Sequence, residues 1–151
     1  MTDRTVTHAT FTLERTYPVP PDRAFRAWAD TATKARWFAG NPSAYELDFR
    51  PGGIERNAAT VEGKHIVWES LYREIVTDER IVYTSVLCEG NTVGTVSLTT
   101  VEFTPTREGT RLVLTEAGAY LDGWEQAAWR EQGTSDWLDA LGKELASAPA
   151  D

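Results

Sequence analysis

Hydrophobic and polar residues alternate along most of the chain, a pattern typical of strands that bury one face. The segment HATFTLERTY, residues 8–17, alternates in this way and predicts a first strand. Later comes a hairpin, YELDFRPGGIERNAAT, in which Pro51 and Gly52 suit the central positions of a type II turn. Four more strands follow, HIVWESLYREIV, RIVYTSVLCE, TVSLTTVEFTP and TRLVLTEAG. Their short polar connections favour antiparallel neighbours, so we predict an antiparallel sheet of six to seven strands.

Two short helices are predicted between the first strand and the hairpin. The segment VPPDRAFRAWAD begins with prolines, which suit the first turn of a helix, and it places Phe25 and Trp28 on one face. The segment DTATKARWFAG has Asp30 as its expected N-cap and Gly40 as its stop.

The last predicted element is a long helix from about Gln126 to Ala146, after a loop formed by YLDGWE. At about 100° per residue, five side chains of this helix share one stripe, namely Arg130, Thr134, Leu138, Leu141 and Leu145. The stripe is polar towards the helix N-terminus and apolar towards the C-terminus. We therefore expect the C-terminal half to pack on the sheet and the N-terminal half to border a cavity.

This order of elements is typical of an α+β fold. We predict one domain over residues 1–151, with a structured core of about residues 9–146. A single helix has to cover one face of a large curved sheet, and the space that it cannot fill becomes a pocket. The predicted architecture is a curved antiparallel sheet wrapped around the C-terminal helix.

Several phrases of the sequence resemble a known superfamily. They are RTYPVPPDRAFRAWADTATKARWF, the RPGG turn, YREIVTDERIVYT and GTRLVLTEAG, and in this order they resemble the START-like, helix-grip superfamily (SRPBCC). Within it the chain is most similar, over about residues 9–145, to homologues of the heat-shock-protein-90 ATPase activator. The resemblance implies a cavity for a lipid-like or aromatic molecule. It implies no shared reaction, because this fold hosts cyclases, carriers, resistance proteins and cochaperones.

Composition and charge narrow the range of partners. The net charge of −8 and the pI of about 4.8 argue against binding to nucleic acid, which needs clustered lysine and arginine. The single cysteine, Cys88, excludes an internal disulfide. The N-terminal residues show no apolar run after their charges, and no stretch approaches the ~20 apolar residues of a membrane span. We therefore expect a cytoplasmic protein.

Sequence motifs for covalent, metal or phosphate chemistry are absent. There is no G-x-S-x-G, no P-loop and no G-x-G-x-x-G. His8, His65 and Cys88 are too scattered for a zinc site, and we interpret both histidines as solvated. We expect no metal and no cofactor.

Polar side chains on the inner face of the sheet are the best candidates for a binding site. Strict alternation puts Glu116 on the same face as Leu112 and Leu114, close to Arg130 of the last helix. Either the strand ends before Glu116 and the carboxylate reaches water, or Glu116 is a polar anchor that pairs with Arg130 or receives a ligand's donor. Burial without a partner would raise its pKa, because desolvation disfavours the charged form.

Hydroxyl and aromatic side chains extend this inner face. Thr95, Ser97 and Thr99 share one parity, and either a pocket wall or an exposed edge would accommodate their hydroxyls. On the neighbouring strands, Trp68 and Tyr72 share a face and Tyr83 lies nearby. These aromatic residues either line a pocket or pack as ordinary core.

Five of the six tryptophans lie in or next to the predicted helices, in three places. Trp28 and Trp37 close the short helices onto the sheet, and Trp37 also edges the cavity. Trp124 and Trp129 lie in the loop and first turn before the long helix, at the pocket mouth, whereas Trp137 belongs to the contact between helix and sheet.

The leading hypothesis is a non-catalytic protein that binds a small hydrophobic or aromatic molecule in the cavity. One alternative is a cyclase or hydrolase that uses Glu116 as acid or base. Another is a chaperone partner, as the resemblance suggests, and a homodimer through an exposed strand edge is also compatible with such a sheet. The candidate cavity residues are Trp37, Trp68, Tyr72, Tyr83, Ser97, Thr99, Glu116, Trp124, Trp129, Arg130 and Thr134.

Overall fold

The computed structural model describes residues 4–147, which contain a seven-stranded antiparallel sheet and three α-helices. The strands are β1 (Val6–Tyr17), β2 (Tyr45–Leu47), β3 (Ile54–Val61), β4 (Lys64–Val76), β5 (Arg80–Glu89), β6 (Thr92–Thr106) and β7 (Gly109–Leu121). The helices are α1 (Pro21–Ala29), α2 (Thr31–Phe38) and α3 (Ala127–Ser147), and a 3-10 turn spans Pro42–Ala44. This is the predicted α+β helix-grip arrangement, with two short helices after the first strand.

From β2 to β7, each strand of the sheet pairs with the next strand along the chain. Strand β1 does not pair with β2. It lies beyond β7 and pairs with it from Val6 opposite Leu121 to Tyr17 opposite Thr110. The sheet edges are therefore β1 and the three-residue β2. The register shifts after Tyr72 in β4, and such bulges bend a strand and add to the curvature of the sheet.

Strands β1 and β7 are longer than the alternation predicts. β1 begins at Val6 rather than at His8, and β7 continues to Leu121, so Tyr120 and Leu121 are strand residues and not the start of a loop. The two extensions depend on each other, because the residues added to β1 lie opposite those added to β7. The connection to α3 is shortened to residues 122–126.

The short helices have the predicted N-terminal signals. Pro20 is the N-cap of α1, and a second proline occupies the first turn, where the missing N–H costs no hydrogen bond. Asp30 caps α2 by accepting hydrogen bonds from the backbone N and the Oγ1 of Thr33 at 3.0 and 2.6 Å. Within residues 4–147, no helix is long and apolar enough to cross a membrane.

The buried side chains of α3 are those of the predicted stripe, Arg130, Thr134, Leu138, Leu141 and Leu145. The three leucines belong to the hydrophobic core between helix and sheet. The two polar residues continue the stripe towards the helix N-terminus. The apolar core therefore ends half-way along α3, and a polar region begins there.

A buried ion pair joins α2 to the sheet. Lys34 is fully buried, and its Nζ lies 2.7 Å from Oε2 and 2.9 Å from Oε1 of Glu55 on β3. The same carboxylate accepts hydrogen bonds from the hydroxyls of Tyr45 and Tyr72. These contacts replace the water that the two charges lose on burial.

The surroundings of Lys34 determine how firmly it holds its proton. Burial lowers the pKa of Lys34, and the attraction of Glu55 opposes this change. The Nζ also lies 4.9 and 4.7 Å from the ring centroids of Trp28 and Phe38, whose π faces attract a cation. Removing one member of the ion pair would leave the other buried without its counter-charge, which costs more than removing both.

The double substitution of this ion pair should therefore destabilise the protein less than the sum of the two single substitutions. Glu55→Gln should lower the free energy of unfolding by about 3–5 kcal/mol, because it strands the ammonium of Lys34. Adding Lys34→Met should recover part of that loss, and urea unfolding of both single variants and the double variant measures the coupling. The exposed pair Asp22 and Arg26 on α1 is the control, with an expected coupling of about 0.3–0.5 kcal/mol. An equally small coupling between Lys34 and Glu55 would contradict this interpretation.

Candidate functional site

A pocket of about 170 Å³ opens between the N-terminal half of α3 and the inner face of β3, β4 and β5. Asn57 of β3, Trp68 of β4 and Leu87 of β5 form the sheet side, and Phe38 closes the pocket from the end of α2. The pocket lies where the buried stripe of α3 is polar, because this part of the helix has no leucines to fill the space.

Three aromatic rings form the apolar wall of the pocket. The ring centroid of Phe38 lies 5.0 Å from that of Trp68 and 4.5 Å from that of Trp137, and the two indoles are 6.3 Å apart. Tilted and edge-to-face contacts at such distances are favourable between aromatic rings. Trp129 extends the wall at the mouth, where it is 62% exposed.

Arg130 forms the polar wall and is held by two carboxylates. Its Nε lies 2.5 Å from Oε2 of Glu116, and its Nη1 donates to Oε1 of Glu125 at 2.7 Å. Its Nη2 reaches Oγ of Ser97 at 3.5 Å. The contact with Glu116 is an ion pair without hydrogen-bond geometry, since Oε2 is buried and accepts no hydrogen bond from the described residues.

Hydroxyl groups of β6 position the two carboxylates. Thr95 donates to Oε1 of Glu125 at 2.6 Å, and Thr99 donates to Oε1 of Glu116 at 3.1 Å. Thr134 instead donates to the backbone carbonyl of Arg130 at 2.9 Å, one turn earlier in α3. The hydroxyls of Thr95, Ser97 and Thr99 on β6 thus contact the ion pairs around Arg130.

Burial and neighbouring charges affect the pKa values of Glu116 and Arg130 differently. Burial raises the pKa of the Glu116 carboxyl, and the attraction of Arg130 reduces the rise without cancelling it. Burial disfavours the charged form of Arg130 as well, but Glu116 and Glu125 outweigh it and raise the pKa of the guanidinium. Glu116 is therefore the member of this pair that burial makes easier to neutralise, whereas Arg130 keeps its charge.

The sequence matches one protein family over most of its length. The family described as Activator of Hsp90 ATPase homolog 1-like protein matches residues 18–146. The chain belongs to this family. No curated protein matches the chain with significant similarity.

Solved structures of similar proteins have the same fold as this Hsp90-activator-like chain. An uncharacterized protein from Rhizobium leguminosarum is 39% identical, with 97% of this chain and 100% of that chain covered and a TM-score of 0.92. A protein from Rhizobium loti is 44% identical, with 93% and 99% covered and a TM-score of 0.87. A protein of the dynemicin biosynthetic locus is 17% identical, with 91% of this chain and 47% of that chain covered and a TM-score of 0.71, a likeness that shows the fold alone. The predicted resemblance to homologues of the activator is confirmed.

The structure brings some of the predicted cavity residues to the pocket of this family member. Those that line it are Trp68, Trp129, Arg130 and Thr134. Glu116 and Ser97 contact Arg130, and Thr99 contacts Glu116, without lining the pocket themselves. Of the two interpretations of Glu116, the one in which the strand ends before it is wrong, because β7 continues to Leu121.

Two of the predicted tryptophans have other neighbours. Trp37 donates its Nε1–H to the carbonyl of Ala27 at 2.9 Å, and its ring packs edge-on against Trp28. Trp124 lies so close to Gly94 of β6 that a Cβ there would overlap its ring. Both indoles therefore have structural contacts that account for their positions.

The two predicted tyrosines lie deeper in the core than the pocket. Tyr72 is fully buried and donates to Oε1 of Glu55 at 2.6 Å. The ring of Tyr83 packs between those of Trp68 and Tyr72, with centroids 6.2 and 5.7 Å away. They support the pocket wall through Trp68 rather than face the opening.

Some pocket residues are not among the predicted cavity residues, namely Phe38, Asn57, Leu87, Glu125, Gly133 and Trp137. Trp137, which is predicted to belong to the contact between helix and sheet, also lines the pocket. Leu87 has the parity of Tyr83 on β5, so extending the alternation would have found it. Glu125 lies in the connection between β7 and α3, where no periodicity reveals its direction.

The histidines and the cysteine are separate from this site. His8 and His65 are exposed, and Cys88 is a free, half-buried thiol. Among residues 4–147, no group of three or more histidine, cysteine, aspartate or glutamate side chains could hold a metal ion.

The raised pKa of Glu116 predicts a pH-dependent stability difference between the wild type and Glu116→Gln. The folded state holds the Glu116 proton more tightly than the unfolded chain, whose carboxyl titrates near its ordinary value of 4.5. The stability of the wild type relative to the variant should therefore fall as pH rises from 4.5 through the raised pKa and then level off. Urea unfolding of both proteins between about pH 4 and pH 8 measures this, since the difference isolates Glu116 from the other titrating groups.

Glu131→Gln controls for the loss of one carboxylate on the same helix, since Glu131 is exposed. A wild-type minus Glu116→Gln difference that stays constant or rises with pH would contradict the assigned direction of the shift.

Proposed function

We propose that this protein binds a small, mostly apolar molecule of about one aromatic ring in the pocket beside α3. The volume of about 170 Å³ is close to that of an engineered cavity of about 150 Å³ that holds benzene. Pockets for drug-sized ligands are larger, at about 300–1,000 Å³. The size therefore favours a compact ring over an extended lipid chain.

Gly133 is the observation that carries this proposal. It lies inside α3 and lines the pocket, although glycine within a helix costs about 1 kcal/mol relative to alanine. A Cβ at Gly133 would meet nothing within 4 Å, whereas a Cβ at Gly142 of the same helix would lie 3.3 Å from the ring of Tyr17. Packing thus accounts for Gly142, whereas Gly133 borders the open space of the pocket.

The chemistry of the walls supports the same conclusion. Ligand sites are mostly apolar and carry a few polar groups that orient the ligand. Here the rings of Phe38, Trp68 and Trp137 face the pocket together with Asn57 and Arg130. Membership of the family is compatible with a ligand-binding or a cochaperone-like role, and this pocket favours the first.

Filling the pocket from Gly133 should weaken ligand binding without unfolding the protein. Gly133→Leu places a side chain in the open space, so a one-ring probe such as 2-phenylethanol should bind at least about tenfold more weakly, a loss of about 1.4 kcal/mol. Isothermal titration calorimetry measures the affinity, and urea unfolding should show stability at or above that of the wild type.

Gly133→Ala is the matched control, because it makes the same change to the helix backbone and occupies little of the pocket. It should keep most of the affinity. Equal affinities of the wild type and Gly133→Leu would place the probe elsewhere. No binding of any one-ring compound to the wild type would overturn the proposed function.

A further inference from the structure

The charge of Arg130, the cation that lines the pocket, is already offset within the protein. Glu116 lies 2.5 Å from its Nε, and Glu125 accepts from its Nη1 at 2.7 Å. With both carboxylates ionised, the three groups carry a net charge of −1. A ligand carboxylate that approached Arg130 would therefore meet a guanidinium with two anions at its side.

Glu125 presents an unused acceptor beside this arginine. Its Oε1 accepts from Thr95 at 2.6 Å and from Arg130 at 2.7 Å, whereas no described residue donates to its Oε2. The side chain is 17% exposed and lines the pocket, so its carboxylate is accessible to a ligand. A carboxylate oxygen accepts hydrogen bonds and cannot donate them, which favours an ammonium or another N–H donor.

The apolar wall favours the same kind of ligand. The π faces of indole and benzene rings attract cations, and Phe38, Trp68 and Trp137 provide three such rings. Lys34, the buried cation that contacts Phe38, is itself paired with Glu55 at 2.7 Å. Both cations near the wall are thus compensated by carboxylates of this chain.

From these contacts we infer that the pocket selects a one-ring aromatic ligand with a positively charged amino group over its carboxylate analogue. The ring occupies the aromatic wall, and the ammonium donates to Oε2 of Glu125. This inference rests on the proposed function, and it adds the charge of the ligand class to it.

Three probes that share a phenylethyl group separate the inference from the proposed function. They are phenethylamine, which is cationic, 2-phenylethanol, which is neutral, and 3-phenylpropionate, which is anionic. Isothermal titration calorimetry with the full chain at neutral pH and low salt should give an affinity for phenethylamine at least about tenfold above that for 3-phenylpropionate, the effect of a single favourable charge contact.

Glu125→Gln removes the charge but keeps a side chain of the same shape, so it should bring the ratio of the two affinities close to one. Glu131→Gln is the matched control, since it removes an exposed carboxylate from α3 and should leave the ratio unchanged. Urea unfolding checks that both variants are folded. This second comparison distinguishes a contact with Glu125 from the general effect of the net charge of −8.

The outcomes test the inference about ligand charge and the proposed function separately. Binding of 2-phenylethanol with equal affinities for the charged probes, or with tighter binding of 3-phenylpropionate, would overturn the inference and leave the proposed function standing. A preference for phenethylamine that survives Glu125→Gln would also overturn it. Failure of all three probes to bind would remove the proposed function and the inference together.

Discussion

One long helix, α3, has to cover the concave face of a seven-stranded sheet. The pocket lies where the side chains of this helix do not fill the space above the sheet. Leu138, Leu141 and Leu145 fill the space under the C-terminal half of α3, with α1 and α2 packed beside them. Under the N-terminal half, Arg130 and Thr134 take the positions of further leucines, and the sheet wall is aromatic. Close packing cannot continue across this change, so the pocket lies at the boundary between the two halves of one helix.

Charges inside the protein fix how the helices sit on the sheet. The ion pair of Lys34 with Glu55 links α2 to β3, and the contacts of Arg130 with Glu116 and Glu125 link α3 to β7 and to the preceding loop. Buried ion pairs add little net stability, but a displaced helix would separate the charges at a large cost. Lys34 contacts Phe38 of the aromatic wall, and Arg130 lines the same pocket as that wall, so the ion pairs of both residues lie beside the site.

The parts of the structure that could be predicted are those with a periodic pattern of hydrophobic residues in the sequence. Alternation located the strands, and a spacing of 3.6 residues identified the buried stripe of α3 down to Arg130. Lys34 could not be found in this way, because a lysine on a short helix is typical of a solvated face and its partner Glu55 lies on β3. Alternation along β7 was enough to predict that Glu116 faces inward, whereas the continuation of β7 to Leu121 depends on its pairing with β1, a contact between distant segments that no local pattern encodes.

The position of β1 at the edge next to β7 has a consequence for synthesis on the ribosome. β1 is synthesised before the other six strands, yet β7, the strand that hydrogen-bonds to it, is the last of the seven to be made. A nascent chain therefore carries an amphipathic strand with no partner until β7 has emerged. Closure of the sheet joins the first and the last of its strands along the chain, and such long-range pairing is slow because the entropy of closing the loop between them has to be paid first.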